Sequence, residues 1–108
     1  MSKEKEFVFK LPSSIRVGGQ LLNVEMAEEL NGQLGVCGVA VGYIKISEMY
    51  QGKRQSESCK VNTFIHECVH CILDTMGRAD LSSDEVFVNT FASFATEILF
   101  SMKFDEHE

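Results

Sequence analysis

The stretch HECVH at residues 66–70 holds residue types that bind metal, at a spacing that suits a helix. On an α-helix, residues four apart lie one above the other, so His66 and His70 can present two imidazoles to one ion. Glu67 falls on the flank of that face, beside the ion, where a carboxylate can take a proton from a water activated by the metal. Zinc lowers the pKa of bound water from about 15.7 to roughly 7, which brings that proton within a carboxylate's reach. The chemistry on offer is hydrolysis with Glu67 as general base. The plain alternative is a buried helix with two hydrogen-bonded histidines and an exposed glutamate.

Two histidines leave a catalytic zinc site one protein ligand short. The remaining histidine, His107, sits in the charged tail DEHE and reads as solvent-facing. An acid or a cysteine must then complete the set, and the downstream segment EVFVNTFASFATEILF offers Glu85 and Glu97. At roughly 100° per residue, Asn89, Ala92 and Thr96 fall within about 40° of Glu85 as a stripe of polar and small residues. Phe87, Phe91, Phe94 and Ile98 gather on the other side. Such a stripe lets a second helix approach the histidine helix closely. Glu97 lies about 120° away from it. Glu85 is therefore the expected third ligand, with Asn89 one turn on to accept a hydrogen bond from a ligand histidine's free N–H. Glu85 also has a competing role, because Ser82 and Glu85 in SSDE have the spacing of a capping box.

Cys68 and Cys71 are spaced CxxC but lie mid-helix and away from the histidine face, whereas a redox pair sits at a helix N-terminus. They read as small buried apolar residues. A structural zinc site joining them to Cys37 and Cys59 is the weaker alternative, since those two have no zinc-knuckle spacing of their own.

The elements that must position these residues follow from pattern. From about residue 58 onward, CKVNTFIHECVHCILDTM runs without Gly or Pro to Gly77, a helix with a glycine stop. RADLSS reads as a short connection. DEVFVNTFASFATEILFSMKF reads as a second long helix, with Ser82 or Ser83 as N-cap and acids in its first turn. The tail should fray. The first half is rich in Gly and β-branched residues. FVFKL, SIRVGG, QLLNVEMA and YIKIS read as short strands, with turns at LPSS, VGGQ and LNGQLG. GVCGVAVG fits either a strand or a loop. The expected fold class is α+β: a small antiparallel sheet of three to four strands followed by two long helices, in one domain over residues 1–108.

Composition sets the remaining bounds. A chain of 108 residues with 44% apolar residues can bury one modest core without disulfides. The formal charge of −6, with Lys3, Lys5, Lys53, Arg54 and Lys60 scattered among acids, argues against a nucleic-acid partner. No apolar run has the length of a membrane span, and MSKEKEFVFK lacks a signal peptide's apolar core. The expectation is a cytoplasmic protein with reduced cysteines and no membrane partner.

HECVH followed by Glu85, with Asn89 four residues later and then Phe91 and Ala92, resembles the gluzincin layout, in which a glutamate on the next helix completes an HExxH site. The spacing ExxxNxFA resembles the ImmA/IrrE metallopeptidases and small zincin-like proteins of phages and prophages. NTFIHECVHCILD resembles the phage versions, where a β-rich segment leads into a TxxHExxH helix. The likeness covers roughly residues 15–104, with specific motifs only in the two helices. It implies one zinc ion, peptide hydrolysis by a metal-activated water with Glu67 as base, and an extended substrate held along the strand before the active helix, here GYIKIS. Asp74 matches an acid often found four residues after the second histidine. Val69 replaces the usual small residue. No downstream histidine is available as an electrophile opposite the base, which leaves Tyr43 and Tyr50 as candidates against a plain reading as half-buried core or rim.

The leading functional expectation is a zinc metallopeptidase acting on a protein or peptide, in a bacterial host's cytoplasm if the chain is phage-encoded. The second is a catalytically silent zinc-binding regulatory or interaction module of phage or prophage origin, whose partner is a regulatory protein. The third is a structural α+β protein without metal. The motifs fix no oligomeric state.

Overall fold

The computed structural model describes residues 3–6 and 9–106. His107 lies outside them. Four strands form the main sheet: β2 (Ser14–Val17), β3 (Gln20–Ala27), β4 (Gly35–Gly38) and β5 (Tyr43–Ser47). A first strand, β1 (Lys3–Glu6), pairs separately. β2 and β3 form a hairpin whose turn is Gly18-Gly19, both at positive φ (57° and 84°), the pair that a tight primed turn requires.

The order across the sheet is β2-β3-β5-β4. After β3 the chain crosses to the far edge, runs back as β4, turns through a short 3-10 segment (Val39–Val41), and returns as β5 into the gap. β5 is thus parallel to β3 and antiparallel to β4. The α+β class holds, with four strands and two long helices, but one pairing is parallel where an all-antiparallel sheet was expected. The physical reason lies in YIKIS. Ile44 and Ile46 are fully buried, and a strand this apolar gains most from a central position. The ambiguous GVCGVAVG resolves into β4 plus the 3-10 turn.

A small hairpin follows, β6 (Met49–Tyr50) and β7 (Lys53–Arg54), turning on Gln51 and Gly52 at φ 51° and 78°. Helix α1 (Glu57–Thr75) starts at Ser56, whose hydroxyl accepts from the Cys59 N–H at 3.2 Å. It ends as expected at Gly77 (φ 77°), where Gly77 N–H bonds Asp74 O and Arg78 N–H bonds Leu73 O.

RADLSS is not a plain connection. It contains the short helix α2 (Ala79–Ser82), and α3 (Glu85–Ser101) is capped by Asp84, whose carboxylate accepts from the Phe87 N–H at 3.1 Å. Neither Ser82 nor Ser83 is the N-cap, because α2 already occupies Ser82. Asp105 and Glu106 of the tail are not frayed, since β8 (Lys103–Glu106) pairs antiparallel with β1. Of FVFKL, Phe7 and Val8 lie outside the described residues. Residues 9–11 form no strand, and Phe9 and Leu11 pack against the core.

α1 carries two cores. Leu22, Ile44 and Ile46 from the sheet meet Phe64 and Cys71 on one face. Val69 and Leu73 meet Val88 and Ala92 of α3 on another. Each fully buried aliphatic side chain contributes about 1.5–3 kcal/mol, so α1 is fixed between sheet and α3. The Thr96 hydroxyl reaches Asn62 Oδ1 at 3.0 Å, which sets α3 antiparallel to α1 and brings the start of α3 to the middle of α1.

Candidate metal centre

That antiparallel packing delivers Glu85 to the histidines. Glu85 Oε1 lies 3.4 Å from His70 Nε2, and Oε2 lies 3.6 Å from His66 Nε2. The two rings stand nearly edge-on, with centroids 4.8 Å apart and planes at 69°. One ligand atom from each of the three residues lies within 4.8 Å of the others, an arrangement that could hold a metal ion. The separations are informative. They are too long for good hydrogen bonds. Two ligands at about 2.0–2.1 Å on a tetrahedral ion stand about 3.3 Å apart, close to what is seen here.

Ser82, which carried no signal of this kind in the sequence, joins the site through α2. It is buried, and its Oγ lies 3.0 Å from His70 Nδ1. With Nδ1–H donating to that hydroxyl, the lone pair of Nε2 faces Glu85. Asn89 lines the same cleft, but no hydrogen bond joins it to either histidine among the described residues, so the orienting contact expected from Asn89 comes from Ser82 instead. The reason is that the turn after α1 folds α2 back onto His70.

Glu67 is 6% exposed, with Oε2 4.0 Å from His66 Nε2. Burial pushes its carboxyl above the usual carboxylate range, while the Cys37 thiol and the two histidines pull it the other way. A raised proton affinity is the direction a general base needs. The close approach of β4 makes this burial. A Cβ on Gly35 would sit 2.6 Å from Thr63 Cγ2 and 3.3 Å from Glu67 Cγ, so only glycine lets the strand lie so near the helix.

Cys37 was not assigned to this site from the sequence. It stands beside Glu67 and Cys71, and its proximity to Cys71, together with burial, raises its thiol far above the ordinary value. Burial likewise pushes Cys68 up to about 12. The hydrogen bond with Cys37 shifts Cys71 the other way, below the ordinary thiol value. Cys59 is exposed, and among the described residues no cysteine belongs to a cluster that could hold metal.

The cleft above the three residues has a volume of about 530 Å³ and is walled by β4, the β6–β7 turn region and the facing sides of α1 and α3. Tyr50 lines it. Tyr43 does not; its ring packs near Gly38 and under Lys45 Nζ, 4.9 Å from the ring centre. Asp74 is exposed and lies outside the cleft. GYIKIS cannot offer an edge to a substrate, because β5 is hydrogen-bonded on both sides. The edge strand beside the cleft is β4. No helix among the described residues is long and apolar enough to cross a membrane. No family model, curated protein or solved structure matches this chain, so the reading of the site rests on its own geometry.

Proposed function

We propose that this chain is a zinc-dependent metallopeptidase. The observation that carries the reading is the spacing of Glu85 Oε1 and Oε2 from the two Nε2 atoms, 3.4 and 3.6 Å, with the buried Glu67 alongside. His66, His70 and Glu85 would hold the ion, and zinc bound there supplies a Lewis acid and lowers the pKa of water. The chain's own residues do the rest. Glu67 accepts the proton from the attacking water and returns it to the leaving amine. Ser82 holds the His70 tautomer. The free edge of β4 offers backbone N–H and C=O groups to an extended peptide, which would lie across the cleft as an added strand. The reading includes a reducing cytoplasm, that of a bacterial host if the chain is phage-encoded, in keeping with four free thiols.

One observation favours the silent metal-binding module as the second reading. Among the described residues the cleft lining includes no Lys or Arg, so a developing oxyanion would find Tyr50, Thr63, side-chain amides and backbone N–H groups rather than a cation of this chain. The experiment combines metal analysis of protein purified without added metal with cleavage of a peptide library. The expected result is one zinc per chain, lost in His70→Ala and Glu85→Ala, and cleavage that falls about 100-fold or more in Glu67→Gln with zinc retained. Equal zinc in all variants refutes the ligand assignment. Zinc retention with no cleavage by the wild type selects the silent module.

A further inference from the structure

The apolar residues that α3 does not bury form a second feature, remote from the cleft. α3 turns Val88, Ala92 and Thr96 toward α1 and leaves Phe91, Phe94 and Ile98 54%, 62% and 59% exposed. Phe87 continues the row, with its ring centre 6.0 Å from that of Phe91. The row 87-91-94-98 steps by four, three and four residues, the alternation of a seam that packs against another helix. Ile72 on α1 and Met76 at its C-cap are exposed as well and lie on the flank turned away from the histidines.

We infer that this face is the interface of a twofold homodimer in which α3 packs antiparallel against α3 of a second copy. Two arguments select a second copy as the occupant. The first is the spacing itself. Four-three-four reads the same in both directions, so an antiparallel copy presents a matching row. With the twofold axis between Phe91 and Phe94, Phe91 faces the partner's Phe94 and Phe87 faces the partner's Ile98, which makes the interface isologous. Glu97, the charged residue bordering the seam, lies on one flank of the facing row. The two copies of Glu97 stand about 13 Å apart along the axis, beyond a Debye length at physiological salt.

The second argument is area. Phe91, Phe94, Ile98, Ile72 and Met76 expose on the order of 500 Å² of apolar side chain. A standard interface buries about 800 Å² per partner, roughly 65% of it apolar in homodimers, so the patch matches one side of such a contact. An anionic membrane is the poorer fit, since α3 contains no Lys or Arg and the chain carries a formal charge of −6.

The test is the mass of the wild-type chain in solution by light scattering, together with two charge variants. A dimer of 12.1-kDa chains, about 24 kDa, is expected. Phe91→Glu alone and Phe94→Lys alone should each be monomeric, with dissociation constants raised on the order of 100-fold or more, because each would bury an unpaired charge. Mixed in equal amounts, the two variants should re-form a dimer, since the introduced glutamate faces the introduced lysine across the axis. Both positions are over half exposed, so the variants should keep the wild-type circular dichroism and zinc content, the latter separating this result from any failure of the metal site. A monomeric wild type, a dimer that survives both single substitutions, or a mixture that stays monomeric overturns the inference. A monomeric wild type that sediments with phosphatidylserine vesicles overturns it in favour of a membrane surface.

Discussion

Ser82→Ala isolates the contact that orients His70 in the proposed metal site. The hydroxyl is 3.0 Å from His70 Nδ1 and its residue is buried, so water does not readily replace it. Removing it leaves the Nδ1–H without an acceptor and frees the ring to adopt the tautomer in which Nε2 carries the proton and cannot bind metal. Loss of a partner of this kind lowers metal affinity about 10–100-fold, or about 1.4–2.8 kcal/mol. The cost to the metal-free fold should be smaller, about 0.5–1.5 kcal/mol, as for one ordinary hydrogen bond. The assay is competition for zinc between the metal-free protein and a chromophoric chelator, with urea unfolding of the metal-free form measured in parallel. Ser82→Thr keeps the hydroxyl and should retain most of the affinity. Zinc affinity in Ser82→Ala equal to that of the wild type would refute the orienting role.

Two further outcomes follow from packing and charge. Gly35→Ala places a methyl 2.6 Å from Thr63 Cγ2 and 3.2 Å from Lys45 O, and should cost about 1–3 kcal/mol in urea unfolding while displacing Glu67 enough to depress cleavage. Adding Thr63→Ser, which removes the clashing methyl, should recover part of both, and no recovery would show that the contact is not the cause. The second outcome concerns Lys60, which is nearly buried and lies 2.7 Å from Glu48. Lys60 holds the Glu48 carboxyl below its usual range, and Glu48 holds Lys60 above its own. The Glu48 contribution is therefore present above about pH 4.3 and is lost as pH falls through its lowered folded value. The Lys60 contribution is present below about pH 10.4 and is lost as pH rises through its raised folded value. Lys60→Met should remove about 1 kcal/mol at neutral pH and flatten the loss of stability below pH 4.3, as read from urea midpoints across pH; an unchanged acid slope would discount the pair.

Local periodicity made much of the candidate site legible. His66, Glu67 and His70 are related by the helical repeat alone, and nothing outside α1 is needed to put both histidines on one face. Glu85 was legible one step further, because its stripe with Ala92 and Thr96 marks the side on which a helix can approach closely. The long helices, the Gly77 stop and the hairpin at Gly18-Gly19 are likewise short-range features, read from residues within a few positions of one another.

Tertiary structure decided the remainder. Whether β5 or β4 forms the edge depends on which strand enters the gap beside β3, a pairing between segments roughly 20 residues apart that no two-residue repeat encodes. That choice moved the free edge to β4, set Cys37 and Gly35 against Glu67, and kept Tyr43 out of the cleft that Tyr50 lines. Ser82 reached His70 because one extra turn of helix formed where the pattern read as a connection. The sequence alone thus determined which side chains of one helix could share an ion. Only the folded chain determined what buries Glu67, what orients His70 and which strand borders the cleft, because those are contacts between elements and depend on how the elements pack.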